Sequence, residues 1–212
     1  MSTIFAPPPP LPAVLEHPGY SGPGRRHRID NFLLEQSELD HFNELLTRLG
    51  HPQHPLDCDC LVTAARELSG GGGRSAPACI RHRLRRGLAI GWMIGDRSWE
   101  VPSDAAEVAS QVTQYLRETH DLIPDDLPKV GRLDDAIVVD TAWDRLVSEI
   151  SSYLDFRRLR RVEAALRGLS EFTFRRDDWE KARRAEVALM AHRLAVREHS
   201  YFPPAPALFR IH

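Results

Sequence analysis

The sequence predicts an all-α fold, a bundle of about six to seven helices built around a central helical hairpin with an Asp/Pro-rich turn. Three observations support this prediction: apolar residues recur at helical spacing in several segments, residues that cap or stop helices separate those segments, and no segment alternates polar and apolar residues as a strand does. We divide the chain into a proline-rich arm (1–28), an N-terminal helical region (29–95), a helical hairpin (96–155), Arg-rich C-terminal helices (156–200) and an extended tail (201–212).

The chain begins with seven prolines within residues 1–28. Proline fixes φ and has no backbone donor, so this arm is predicted to be extended or polyproline-like. We favour a disordered tail or one strapped to the surface over a ligand for the aromatic groove of a partner. The first helix is predicted over residues 31–49, where apolar residues recur at helical spacing and Gly50 stops the pattern.

Three further helices are predicted before the central turn. Asp57 is placed to cap a helix that runs to about Leu68. A glycine-rich break over residues 70–73 precedes a helix that begins at about Ala76. The next helix, over residues 103–119, begins with a serine and two acidic residues that resemble a capped start.

Beyond the central turn, three helices complete the predicted bundle. The first begins at about Asp135 and carries a wide apolar stripe to Leu154, and a charged helix follows to about Leu169. Asp177 or Asp178 is placed to cap a last long helix.

Composition narrows the class of function. The net charge is −2, so the chain as a whole is not an obvious binder of nucleic acids or anionic membranes. Only three cysteines in 212 residues indicate a reducing compartment rather than a disulfide scaffold. No apolar run reaches the roughly 18 residues of a membrane span, and the N-terminus has no secretory signal. We therefore expect a cytoplasmic protein with no transmembrane segment.

The turn between the two central helices carries the most specific pattern of the chain. It reads Asp121-Leu122-Ile123-Pro124-Asp125, then Leu127-Pro128, Gly131 and Leu133-Asp134-Asp135, followed by Ile137-Val138-Val139. This pattern resembles the signature of the YkvA-like family, bacterial and plant proteins that share a domain of unknown function. The lead-in is also similar, through Asp96-Arg97-Ser98-Trp99 and Tyr115-Leu116. The resemblance covers about residues 96–147 and identifies the chain as a bacterial relative.

The resemblance implies a helical hairpin and no activity, because none is established for the family. Family hairpins are usually very apolar, and many are membrane-associated. Here both helices are interrupted by charged or amide residues, so we expect a soluble variant whose hairpin packs against other helices of its own chain. The interrupting residues are Glu107, Gln111, Gln114, Arg117, Glu118, Asp140, Asp144 and Arg145.

The carboxylates of the turn have two interpretations. In the structural one, Asp121 accepts backbone hydrogen bonds near the end of the preceding helix and Asp134 or Asp135 caps the following one, each cap contributing about 1 kcal/mol. In the chemical one, Asp121, Asp125, Asp134 and Asp135 converge on Mg²⁺ or Mn²⁺, or on Ca²⁺, which prefer oxygen ligands. No histidine–carboxylate spacing or phosphate loop accompanies the cluster. We therefore favour the structural interpretation.

A second group of candidate metal ligands contains every cysteine of the chain. Thiolate and imidazole together suit Zn²⁺. However, the spacing matches no standard zinc pattern, and residues two apart on a helix do not share a face. We favour small core cysteines over a zinc site. The candidate ligands are His51, His54, Cys58, Cys60, Cys79 and His82.

Arginine dominates residues 157–197, where it could contact phosphates. Carboxylates are interleaved at salt-bridge spacing, which favours a solvated or docked face. The leading functional expectation is a non-enzymatic interaction or scaffold protein with a protein partner. Two alternatives remain: a divalent-metal-binding protein or metal-dependent hydrolase at the aspartate cluster, and an accessory binder of nucleic acid or another anionic partner through the Arg-rich helices. The oligomeric state is left open.

Overall fold

The computed structural model describes residues 3–16, 26–50, 54–70, 75–118, 122–168 and 170–198. Six α-helices lie within them: α1 (Gln36–Leu49), α2 (Cys58–Ser69), α3 (Ala78–Gly95), α4 (Ser103–Tyr115), α5 (Leu133–Arg167) and α6 (Arg176–Glu198). The smaller elements are strands β1 (Arg28–Ile29) and β2 (Phe32–Leu33) and the 3₁₀ turns Thr3–Phe5, Ala13–Leu15 and Glu171–Thr173. The prediction of an all-α fold is confirmed.

The chain divides into two compact units, Met1–Tyr153 and Leu154–His212, and α5 supplies residues to both. None of the helices in the described ranges combines the length and the apolarity that a bilayer crossing requires. The core of the first unit is apolar. Its largest fully buried side chains are those of Trp99, Leu39, Leu46, Leu49, Leu61, Ile80, Ile90, Met93, Ile123, Leu133 and Leu146.

A short β-hairpin occupies the start of the helix predicted over residues 31–49. Strands β1 and β2 pair antiparallel, with Ile29 opposite Phe32. Asp30 takes the left-handed position of the turn at φ +49°, which aspartate adopts more readily than most residues. Helix α1 consequently begins only at Gln36. The predictions of helix from residue 31 and of no strand were wrong, because two-residue strands are too short to show alternation.

The predicted helix stop and helix cap in the N-terminal region are both confirmed. Gly50 ends α1 in the left-handed region at φ +98°, and its N–H donates to the carbonyls of Leu46 and Thr47. Asp57 caps α2, because its carboxylate accepts the N–H of Cys60 at 2.7 Å. These local signals therefore fix the ends of α1 and α2.

Helix α5 is one 35-residue element, whereas the sequence predicted one helix to Leu154 and another to Leu169. The prediction of two helices was wrong. The apolar stripe gives way to charged residues, but no glycine or proline interrupts residues 133–167, so the helix continues until Gly168 at φ +62°. The helix itself is continuous, and what changes along its length is the burial of its side chains, which falls toward the C-terminal end.

An aromatic contact and a carboxylate are among the interactions that hold the second unit together. The rings of Phe156 and Phe174 stack at 5.8 Å between centroids. Asp155 accepts hydrogen bonds from the indole of Trp179 at 2.7 Å and from the guanidinium of Arg183 at 2.7 and 2.8 Å. These contacts join the C-terminal part of α5 to the first half of α6.

The start of α6 also carries an acidic contact near the predicted position. Asp178 lies in the first turn, and its carboxylate accepts the backbone N–H of Arg175 at 3.1 Å. This bond satisfies one backbone donor at the helix start, as a capping box does.

Candidate functional site

The Asp/Pro-rich segment folds as a series of tight turns, which we call the elbow and define as residues 122–132. Four backbone hydrogen bonds follow one another along it, at 2.8–3.0 Å. They run from the N–H of Leu127 to Pro124, of Val130 to Pro128, of Gly131 to Leu127 and of Leu133 to Val130. No part of the elbow is a strand. The predicted turn between α4 and α5 is therefore present.

Close backbone packing in the elbow requires glycine at position 131. A Cβ there would lie 2.5 Å from the carbonyl oxygen of Asp125 and 2.6 Å from that of Pro124. Lys129 takes a left-handed conformation at φ +68°, and its ammonium donates to the carbonyl of Ser69 at 2.7 Å. The elbow is thus fastened to the C-terminal end of α2, where a positive charge is favourable.

Asp134, in the first turn of α5, binds the other end of the elbow. Its side chain is fully buried. One carboxylate oxygen accepts the hydroxyl of Tyr115 at 2.8 Å and the backbone N–H of Ile123 at 3.1 Å. This carboxylate therefore joins the end of α4, the start of the elbow and the start of α5.

Burial also changes the protonation of Asp134. Loss of solvent raises the pKa of this carboxyl from 3.8 to about 7. This value is a balance, in which the negative charge of Asp135 also raises the pKa, whereas hydrogen bonds from Tyr115 and from the backbone N–H groups of Ile123 and Asp135 lower it. The carboxyl changes its charge near neutral pH. A dissolved substrate has no access to it in this conformation, since no part of the residue is exposed.

The other described carboxylates of the cluster share an arginine. The guanidinium of Arg132 binds both oxygens of Asp125, at 2.9 and 2.7 Å, and lies 3.3 Å from an oxygen of Asp135. Asp135 is almost fully buried, whereas Asp125 and Arg132 are exposed. The cation between these two carboxylates is therefore a side chain of the protein.

The metal prediction for the aspartate cluster stays a prediction. Asp121 lies outside the described residues. Within the described ranges, no group of three or more His, Cys, Asp or Glu residues is arranged to hold a metal ion. The contacts of Asp125, Asp134 and Asp135 are those of a structural element, although Asp134 binds the backbone of the elbow and does not serve as the N-cap.

The cysteines of the second candidate metal group belong to the core. Cys58, Cys60 and Cys79 are buried free thiols. Burial raises the pKa of Cys60 to about 11, a shift that Asp57 reinforces, and burial also raises the pKa of Cys58. A protonated thiol is a poor metal ligand, so these positions favour packing. His54 is exposed, His82 is half-buried and His51 lies outside the described residues, so zinc binding also stays a prediction.

Many arginines of the second unit are engaged by carboxylates. The pairs are Arg160 with Glu171, Arg167 with Glu163, Arg176 with Glu180, Arg183 with Asp155 and Glu186, and Arg184 with Glu180. Such pairing favours a solvated or docked face over a surface that binds phosphates, although nucleic-acid binding itself stays a prediction.

A cleft of about 390 Å³ lies beside the elbow, between α1 and α4. The rings of Phe42 and Tyr115, 5.6 Å apart, form its floor together with Leu45 and Leu122. Sequence reasoning did not find the cleft, because α1 and α4 are far apart in the chain. Its size suits a small ligand, and its rim is polar, with three glutamates among seven residues. The rim residues are Glu38, His41, Glu44, Arg48, Gln111, Gln114 and Glu118.

The elbow is interpreted from its own contacts. No known protein family, curated protein or solved structure matches this chain.

Proposed function

We propose that this chain is a non-enzymatic interaction protein that assembles with a second copy of itself through α6. One observation carries the proposal. None of the residues in α6 is buried, yet the helix has an apolar stripe, which we define as Val187, Met190 and Leu194. Their exposed fractions are 66, 59 and 55%. Monomeric proteins rarely leave a contiguous apolar surface uncovered, so the stripe indicates an interface.

The stripe continues the side of α6 that already makes contacts. Arg183 lies one turn before Val187 on the same side of the helix and binds Asp155. From Val187 onward the side chains of α6 are exposed, so the rest of the second unit in the described ranges leaves the stripe uncovered. The spacing of three and four residues is that of the a and d positions of a coiled coil.

The charges beside the stripe favour a second copy as the partner. With Val187 and Leu194 at a positions and Met190 at d, Arg193 falls at g and Glu198 at e. In a parallel pair of helices, a g residue faces the e residue five positions later on the other helix. Arg193 of one copy therefore faces Glu198 of the other, and both side chains are exposed in the single chain. The same surface is complementary to itself, as a twofold interface requires.

Size-exclusion chromatography with light scattering, over a series of protein concentrations, tests the proposal. We expect the wild-type chain to dimerise with rising concentration and Met190→Asp to stay monomeric, because an aspartate would be buried in the apolar contact. Leu189→Asp is the matched control, since Leu189 is 50% exposed but lies more than about a third of a turn from the centre of the stripe. A wild-type chain that is monomeric at every concentration would overturn the proposal, as would equal effects of the two substitutions.

A charge exchange tests the parallel arrangement. Arg193→Glu places like charges opposite each other and is expected to weaken the dimer. Adding Glu198→Arg to the same chain restores the opposite charges and should restore the dimer. Failure of the double variant to recover would refute this arrangement, and the result for Met190→Asp would still decide whether the stripe is the interface.

Membership of the YkvA-like family is proposed as well, on the pattern of the elbow alone. The turn at residues 122–132 and the helices on either side of it support this proposal. Because no activity is established for that family, it neither adds to nor opposes an interaction role.

A further inference from the structure

The N-terminal arm lies on the first unit and is held there by two arginines of α3. Arg83 donates to the carbonyl of Pro9 at 2.8 Å. Arg86 donates to the carbonyls of Ile4 and Ala6, at 3.2 and 3.3 Å. Both arginines are only 4% exposed, so little water reaches the N–H donors of their guanidinium groups. The carbonyls of the arm supply some of the hydrogen-bond acceptors that these donors need.

The surface under the arm consists of Arg83, Arg86, Asp140 and Trp143, and we call it the arm groove. Asp140 binds Arg83 at 2.9 and 3.1 Å and lies 3.8 Å from Arg86. The guanidinium of Arg86 lies 4.1 Å from the centre of the Trp143 ring, and the Phe5 ring is 6.3 Å from that ring. The groove thus combines guanidinium donors with one aromatic surface, as receptors of proline-rich segments combine polar and aromatic groups.

The contacts define what the groove recognises. The hydrogen bonds from Arg83 and Arg86 use carbonyl oxygens of the arm, and the ring contact uses Phe5. These bonds need no backbone N–H of the bound segment. Proline, which has no N–H, can therefore occupy the intervening positions without the loss of a hydrogen bond. Proline also holds the segment extended before it binds, which lowers the entropy lost on docking.

The chain contains a second segment with the same pattern. In the arm, Phe5 is followed by proline two and four residues later and by leucine six residues later. In the C-terminal tail, Phe202 is followed in the same way by Pro204, Pro206 and Leu208. The carbonyls one residue before, one after and four after the phenylalanine are present in both segments, because every residue has one.

We propose that the arm groove is a receptor for segments of the pattern Phe-x-Pro-x-Pro-x-Leu, and that residues 202–208 are its second occupant in exchange with the arm. The arm holds the groove as an intramolecular ligand, which acts at an effective concentration on the order of millimolar for a short connection. A competing segment therefore binds detectably only when the arm is weakened or the segment is abundant. This proposal rests on the arm contacts and is independent of α6.

Fluorescence anisotropy of a labelled peptide with the sequence of residues 200–209 tests the proposal. The protein is the full chain, with Phe202→Ala so that its own tail does not compete, and it is compared with the same chain that also carries Phe5→Ala. Because Phe5→Ala removes the ring that contacts Trp143, we expect this variant to bind the peptide at least several-fold more tightly. An unlabelled peptide of residues 3–12 should displace the label, and a peptide with Phe202→Ala should bind at least tenfold more weakly.

Two outcomes would overturn the proposal. One is equal affinity of the peptide for the two proteins, or no binding to either. The other is binding that the peptide of residues 3–12 fails to displace, because the occupied surface is then not the arm groove. Phe5 is 41% exposed, so its replacement leaves the core intact. Phe5→Leu, which keeps apolar bulk without the ring, should give an intermediate affinity and repeats the comparison in a second variant.

Discussion

Replacing Asp134 by asparagine tests whether burial controls the protonation of this carboxyl. The pKa of Asp134 is about 7 in the folded chain against 3.8 for an ordinary aspartate. Between these values the folded chain holds a proton that the unfolded chain has released, so the free energy of unfolding falls as the pH rises. From about pH 5 to about pH 8, these two pKa values give a loss of about 2–3 kcal/mol. Asparagine has the same shape and does not titrate, and its oxygen still accepts hydrogen bonds from Tyr115 and Ile123.

Urea denaturation followed by circular dichroism, at a series of pH values, measures the free energy of unfolding of each protein. Contributions from titrating groups that do not interact with Asp134 cancel in the difference between Asp134→Asn and the wild type. The variant should therefore gain about 2–3 kcal/mol relative to the wild type between about pH 5 and about pH 8. Asp126→Asn, which changes an exposed carboxylate of the same elbow, should keep the wild-type pH dependence. Parallel curves for Asp134→Asn and the wild type would refute the reasoning.

Two glycines and a cap give further predictions that thermal or urea denaturation can check. Gly131→Ala should destabilise the chain by about 1–3 kcal/mol because its Cβ meets backbone carbonyls. Gly91→Ala, with open space around the new Cβ on α3, should stabilise the chain by about 0.5–1 kcal/mol. The same sign for both substitutions would contradict the account of the elbow. Asp57→Ala should lower the free energy of unfolding by about 1 kcal/mol, because the hydrogen bond to Cys60 is lost. Glu107→Ala, on the exposed side of α4, should change the free energy of unfolding by no more than about 0.5 kcal/mol. Equal effects of the two substitutions would argue against a cap at Asp57.

The helical fold was predictable because its signals are local. Gly50 and Asp57 act on backbone groups within four residues of themselves, so the sequence alone identifies the end of α1 and the start of α2. The division of α5 was not predictable from the apolar pattern, since the stripe ends where burial ends and the helix continues. The hairpin at residues 28–33 was missed because its two-residue strands carry too little periodicity.

The contacts of the site depend on residues that are distant in the sequence. The sequence placed Asp134 at the start of a helix, but Tyr115, which binds it, lies 19 residues earlier. The sequence did not indicate what Arg83 and Arg86 bind, because their carbonyl partners lie 74 to 82 residues away in the arm. Spacing rules describe neighbours on one element, so they identify candidate ligands without identifying what each ligand binds.

In the first unit, buried charged side chains bind the backbone of two loops, the elbow and the arm. Asp134 accepts an N–H of the elbow, and Arg83 and Arg86 donate to carbonyls of the arm. A loop backbone without ladder partners must satisfy its polar groups in this way or remain in water. Replacing one of these side chains leaves the backbone groups that it bound without a hydrogen bond, which costs about 1–3 kcal/mol for each buried group and favours release of the attached loop. The elbow and the arm are therefore the segments that a change of pH or a competing ligand can release first, while the helices stay packed.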